Sequence, residues 1–139
     1  MTDATVSDKN ATGTLTVLVY SNDALTRAKV TEGLGRRPSL HVGPFEYVEV
    51  ATAPVVLQKL EGGGIDLVIL DGEAAPVGGL GLAKQLKDEF FPCPPVVVLV
   101  GRKDDAWLAR WSRAEAIVAH PVDPFELADT IIGLVRNNH

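Results

Sequence analysis

The chain has a single cysteine, Cys93, and that scarcity removes two kinds of chemistry at once. One thiol cannot form an intramolecular disulfide, and by itself it cannot supply a metal cluster. Its setting, Phe91-Pro92-Cys93-Pro94-Pro95 beside an apolar run, predicts a buried thiol rather than a reactive one. Long hydrophobic runs are missing as well: none approaches the roughly 18 apolar residues of a membrane span. The polar, acidic N-terminus has no apolar stretch that could act as a secretion signal. The expectation is a cytoplasmic protein with no direct membrane insertion, free to dock onto something membrane-bound. Basic charge is also short. The net charge of −5 argues against a nucleic-acid partner, which calls for a basic stripe to displace counterions from phosphates. The pairs Arg36-Arg37 and Arg102-Lys103 are too short for that and read as solvated turns.

What is present is enough for one globular domain. The 139 residues are 46% hydrophobic and 22% charged, close to the average of folded proteins. Residues Met1 to Thr14 are polar and aperiodic and read as a flexible tail, leaving 15–137 as the domain. Five short runs rich in Val, Ile and Leu follow: Leu15–Tyr20, Tyr47–Ala51, Ile65–Leu70, Val96–Val100 and Ile117–Ala119. Continuous apolar runs of this length suit strands buried on both faces of a parallel sheet.

Helical spacing fills the intervals. Asp23 can cap a helix carrying Leu25, Ala28 and Leu34, stopped by Gly35. Thr52 and Pro54 open a second, through Val56, Leu57 and Leu60, ended by Gly62-Gly63-Gly64. Leu80, Ala83, Leu86 and Phe90 mark a third, and Asp104 opens a fourth with Trp107, Leu108 and Trp111. Pro124 opens the last, with Leu127, Ile131, Leu134 and Val135. Strand then helix, five times over, predicts an α/β doubly wound sheet with helices on both faces. The connection Arg36–Phe45 is long for such a unit.

In an open sheet of this kind, ligands gather beyond the carboxyl ends of the strands. The groups expected there are Ser21, Asn22 and Asp23 after the first strand, and Asp71, Gly72 and Glu73 after the third. Val100, Gly101 and Arg102 follow the fourth strand, and His120 and Pro121 the fifth. The run Ile65-Asp66-Leu67-Val68-Ile69-Leu70-Asp71, with Pro76 and Gly79 after it, resembles the phosphoacceptor region of bacterial response-regulator receiver domains. His120-Pro121, followed by Asp123-Pro124 and Leu127, resembles the Lys-Pro segment that opens their last helix. The likeness spans Leu15 to Val135. It implies the flavodoxin-like five-stranded (βα)5 sheet in the order 2-1-3-4-5, with Asp71 at the phosphoacceptor position.

The departures from that pattern are specific. Receivers hold Mg²⁺ with two acids after the first strand, where this chain has Ser21 and Asn22. Their Thr or Ser after the fourth strand is Val100 here, and their Lys after the fifth is His120. The aromatic switch position corresponds to Ile117. Phosphoryl transfer needs charge neutralised around the moving group. Mg²⁺ usually takes one or two carboxylates, so Asp23 and Asp71 together suggest a weak site at best. Val100 donates no hydrogen bond, and an unperturbed imidazole with a pKa of about 6.5 is only partly charged near neutrality. Phosphorylation of Asp71 is therefore expected to be poor or absent, with Asp71 kept as an acceptor for local N–H groups or as a partner of His120.

Other motifs yield less. Gly78-Gly79-Leu80-Gly81 lacks the spacing of a dinucleotide fingerprint and the Lys-Ser/Thr of a phosphate loop, so it reads as a flexible loop that permits close packing. Ser21 has no base-and-orienter pair, a cobalamin site would need a His shortly after Asp71, and His41 and His139 stand far from other ligands. No enzyme activity and no cofactor are expected. Trp107 and Trp111, four apart, share a helix face. Core packing is the plainer reading of them. The other is an interface anchor, which draws Arg110 and Arg113 into a partner surface, since Trp is enriched at binding hot spots.

Several stretches resemble a narrower group, the orphan receiver-like proteins of actinobacteria associated with respiratory complex I, the NADH dehydrogenase. They are Tyr47–Thr52, Gly63–Leu67, Leu70–Ala74, Ala83–Glu89 and Trp111–Ala116. The resemblance implies an accessory protein on the cytoplasmic arm of that complex, acting through contact and without an output domain. Two further readings stand beside it: a single-domain regulator switched by phosphorylation at Asp71, and a small-ligand sensor using the altered pocket.

Overall fold

The structure is a computed structural model that describes residues 13–40, 42–101 and 106–137. Five strands alternate with five helices: β1 Leu15–Tyr20, α1 Ala24–Leu34, β2 Phe45–Val50, α2 Ala53–Gly62 and β3 Leu67–Asp71, then α3 Gly79–Glu89, β4 Val96–Val100, α4 Ala106–Ser112, β5 Ala116–Ala119 and α5 Pro124–Asn137. The strands are all parallel and lie in the order β2-β1-β3-β4-β5. This is the expected doubly wound, flavodoxin-like arrangement.

Strand alternation divides the apolar residues between two cores. Leu15, Val17 and Val19 of β1 join Leu67 and Ile69 of β3 and Val97 and Leu99 of β4 beneath α1 and α5. Leu18, Tyr20, Val68, Leu70, Val96, Val98 and Val100 point the other way, against Val56 and Leu60 of α2 and Leu82, Ala83 and Leu86 of α3. With both faces covered, the central strands have no need of polar residues, which is why β3 and β4 are buried throughout. The edge strand β2 differs: Glu46 and Glu49 are exposed on it.

The helix ends follow the expected chemistry. Asp23 Oδ1 accepts the Leu25 N–H at 3.0 Å, capping α1, and Gly35 ends it at φ +69°, a conformation that favours glycine. Thr52 stands at the start of α2 but makes no side-chain cap bond there. Three strands shift from the sequence reading: β2 is Phe45–Val50 rather than Tyr47–Ala51, β3 Leu67–Asp71 rather than Ile65–Leu70, and β5 starts at Ala116 rather than Ile117. β2 begins at Phe45, not Tyr47, because pairing with β1 starts at Leu15 opposite Phe45, whose buried ring packs edge-on against Tyr47. β3 begins at Leu67, not Ile65: the Asp66 carboxylate accepts the Thr16 N–H at 2.8 Å, using that side chain at the sheet's lower margin.

The expectation that Trp107 and Trp111 pack in the core is wrong. They are 61% and 48% exposed, while Ser112 is buried at the end of the same helix. Helix α4 is short, seven residues, and packs on α3 and β5 with both tryptophan rings left about half or more in water. Cys93 is half-buried rather than buried; burial still pushes its thiol pKa up. The expectations for Met1–Thr12 of the tail, His41, Arg102-Lys103, the Asp104 cap and His139 concern residues outside the described ones, as does the Leu108 side chain.

Candidate functional site at the carboxyl edge of the sheet

The ends of β1, β3 and β5 bring Ser21, Asp71 and His120 together. Asp71 closes β3 and is only 4% exposed, and Ser21, one residue past β1, is fully buried. A carboxylate so removed from water needs donors around it, and it has them. Ser21 Oγ donates to Asp71 Oδ2 at 2.7 Å. The Glu73 N–H donates to Oδ1 at 2.9 Å, and His120 Nε2 lies 3.4 Å from the same oxygen. Among the described residues, no buried side-chain nitrogen or oxygen lacks a partner.

The neighbouring groups are equally committed. Ser21 Oγ accepts the Asp23 N–H at 3.0 Å. Asn22 Oδ1 accepts the Ala75 N–H at 2.9 Å, across the mouth of the pocket. Tyr20, at the end of β1, donates its hydroxyl to the Val77 carbonyl at 2.7 Å. Its pKa is raised, first by burial and then by the Asp71 charge. The loop from β3 to α3 is thus tied to β1 at Ala75 and Val77, and its base is held by Gly72 N–H donating to Leu99 O at 2.6 Å.

Two glycines permit this closeness. A Cβ on Gly72 would stand 2.6 Å from the Leu99 carbonyl oxygen, and one on Gly79 would stand 2.8 Å from the Asp71 carbonyl oxygen. The Gly78-Gly79 segment therefore lets α3 start against the backbone of the acceptor position; the close packing expected there is present, but Gly79 is the first residue of the helix rather than part of a flexible loop.

Val100 is buried in the core, and its backbone oxygen accepts the His120 N–H at 2.7 Å. It offers the pocket no side-chain donor. At Gly101 a Cβ would lie 3.1 Å from Glu73 Oε2, so the Glu73 carboxylate folds over the loop after β4. That contact had no sequence signal, because a glycine's neighbour across a loop is not encoded locally. Ile117 on β5 is partly buried against the α2–α3 core.

The magnesium site implied by the receiver resemblance does not fit these residues. Mg²⁺ takes near-octahedral oxygen ligands, including one or two carboxylates. Ser21 gives its proton to Asp71, Asn22 gives its carbonyl to Ala75, and Asp23 is turned to α1, where Thr26 Oγ1 also donates to its Oδ2 at 3.2 Å. The weak site imagined between Asp23 and Asp71 thus loses its Asp23 half to helix capping. The described residues contain no group of three or more His, Cys, Asp or Glu side chains suited to a metal ion.

Comparison with known proteins gives a consistent picture. The chain is 57% identical over 122 residues to an uncharacterized response regulatory protein of Mycobacterium tuberculosis, found in strains CDC 1551 / Oshkosh and ATCC 25618 / H37Rv; the match covers 88% of this chain and 92% of that protein. Among solved structures it resembles the receiver domain of a Francisella response regulator, at TM-score 0.76 and 15% identity, over 90% of this chain and 99% of that one. It also resembles a two-component response regulator from Clostridium difficile, at TM-score 0.75 and 14% identity, over 90% and 98% of the two chains. No family model matches the chain.

Proposed function

The chain belongs to the bacterial response-regulator receiver family, and from that premise we propose that it is a pseudo-receiver, a protein-interaction module whose acceptor carboxylate serves as an internal strut. The observation that carries this reading is the 2.7 Å hydrogen bond from the buried Ser21 hydroxyl to Asp71 Oδ2. For Asp71 to attack a phosphoryl group, that bond has to open. The incoming charge then needs neutralising in a pocket with no fitting metal site, no hydroxyl at position 100 and one imidazole. In place of the phosphoryl group, the pocket holds a finished set of hydrogen bonds.

The test is incubation with acetyl phosphate and Mg²⁺, followed by intact mass measurement. The expected result is no adduct. Stoichiometric modification that disappears in Asp71→Asn overturns the proposal. A second reading, a single-domain response regulator switched by phosphorylation at Asp71, is favoured by two observations: the curated relative is named a response regulatory protein, and an aspartate does stand at the carboxyl end of β3. The same experiment decides between them.

Residues 15–137 form the interaction domain in this proposal, and 1–14 a tail. The proposed partner is a protein, the cytoplasmic arm of respiratory complex I, on the strength of the stretches resembling actinobacterial receiver-like proteins. The protein would then be cytoplasmic and peripheral to the membrane through that complex. No helix among the described residues is long and apolar enough to cross a membrane. Detergent-solubilised membranes should yield the protein together with NADH dehydrogenase activity, and separation of the two through every purification step counts against the complex I partner.

A further inference from the structure

The rings exposed on α4 do not disclose what covers them, because the cations beside them are already paired: Lys84 and Arg113 with Asp88, Lys87 with Glu115. The other face of the sheet, under α1 and α5, differs. These two helices pack together so closely that a Cβ on Gly33 would stand 3.1 Å from Pro124 Cβ. Beside that contact lies an apolar cleft of about 360 Å³, with Leu34 and Pro38 on one bank and Phe125 and Ala128 on the other. Phe125 is 82% exposed, and Leu40, two residues beyond Pro38, is 85% exposed.

The two banks carry opposite charge. From Lys29 to Leu40 there are three cations, Lys29, Arg36 and Arg37, and one carboxylate, Glu32. From Asp123 to Val135 there are three carboxylates, Asp123, Glu126 and Asp129, and no cation. All seven residues are exposed. Lys29, Arg36, Arg37, Asp123 and Asp129 form no ion pair with any described residue. Asp123 has a local task, since its Oδ1 accepts the Phe125 N–H at 2.9 Å and caps α5. Asp129, in the second turn, and the two arginines have none.

We propose that this α1–α5 face is where two copies of the chain associate about a two-fold axis. The proposal goes beyond the pseudo-receiver reading and does not depend on the state of Asp71. A two-fold contact sets a patch against the same patch of its partner. A patch of one sign then repels itself, whereas a patch with one bank of each sign is its own complement. Here the basic bank of each copy meets the acidic bank of the other, twice, while Phe125 and Leu40 of both are covered. A purely acidic or purely basic segment satisfies one bank and opposes the other, and nucleic acid meets the carboxylates of α5. Each copy has a net charge of −5, but charges farther apart than about 8 Å are largely screened at physiological salt, so the facing banks decide.

The test is sedimentation velocity on the full chain from about 1 µM to 1 mM. The expected result is a mass rising with concentration from 14.8 kDa toward twice that, and rising less in high salt. Phe125→Ala is expected to weaken the dimer. So is each of two charge reversals, Arg36→Glu with Arg37→Glu, and Glu126→Lys with Asp129→Lys, by about tenfold or more. All four positions are exposed, and unchanged circular dichroism checks that both variants fold. Mixing the two reversed proteins sets an all-acidic face against an all-basic one and is expected to restore dimers of mixed composition. Asp71→Asn and Trp111→Ala are expected to leave association unchanged. A mass fixed at 14.8 kDa, a mass growing beyond the dimer, a reversal without effect, or a mixture no tighter than its components overturns the proposal. A parent that stays monomeric but binds a Lys- or Glu-bearing amphipathic peptide through Phe125 gives the cleft to another protein and overturns it equally.

Discussion

The carboxyl edge of the sheet and the outer side of α3 and α4 handle their costly groups in opposite ways. At the edge, the buried carboxylate of Asp71 is met by Ser21, by the Glu73 N–H and by His120, and the loop above is fastened to β1 by Asn22 and Tyr20. Some 40 residues on, Trp107 and Trp111 leave about half or more of their surface in water. Satisfied polar groups hold a structure still; uncovered rings are surface whose burial is deferred to an encounter. The difference separates a region spent on internal order from one available for contact, within one small domain.

The strongest way to break that comparison is to reopen the edge. The combined variant Ser21→Asp, Asn22→Asp, Val100→Thr and His120→Lys restores two acids, a hydroxyl and a fixed cation around Asp71. Hydrogen bonds to a charged group contribute about 1.5–3 kcal/mol each, so acetyl-phosphate labelling should rise roughly a hundredfold over the parent. Labelling of parent and variant to the same extent would show that the substitutions are not what closes the site. Next in size is Asp71→Ala, which strands the Ser21 hydroxyl. A loss of about 2 kcal/mol in urea unfolding is expected, with a smaller loss for Asp71→Asn, which keeps an acceptor; a neutral Asp71→Ala would remove the strut.

Tyr20→Phe deletes the bond to Val77 and should cost about 1 kcal/mol, with faster amide exchange at Ala75 as the local sign. It also bears on alkaline stability. Burial raises the pKa of both Tyr20 and Tyr47 above the ordinary 10.0. Above pH 10 the unfolded chain therefore loses phenolic protons that the folded chain keeps. Stability should fall as pH rises beyond 10, by up to about 1.4 kcal/mol per unit for each phenol. The double variant Tyr20→Phe, Tyr47→Phe should flatten that limb, and an unchanged slope would place its origin elsewhere. Smallest is the effect on the outer face: Trp107→Ala should change stability by no more than about 0.5 kcal/mol. A loss above 2 kcal/mol would mean that this ring supports the fold and is no spare surface.

The sheet was legible in the sequence because strands covered on both sides leave an unbroken apolar signature, and the runs Leu15–Tyr20 and Val96–Val100 needed nothing more. β2 was read two residues short because its Phe45-Glu46-Tyr47 start alternates, as an edge strand's does. At the site, Ser21, Asp71 and His120 could be grouped from topology alone, since each follows a strand at the same edge. Which donor reaches which oxygen could not. Tyr20 donates to Val77 across 57 positions, a contact with no periodicity to announce it. The tryptophans show the limit most directly: a four-residue spacing says that two side chains share a face, but not whether that face looks inward. In a helix of seven residues the pattern is too brief to decide.

An open sheet has two unsatisfied margins, and either could recruit further strands into an endless ribbon. On β2 the exposed Glu46 and Glu49 would set like charges side by side if a second copy were laid along it. A second copy is thereby discouraged from extending the sheet, which stops at five strands on this side.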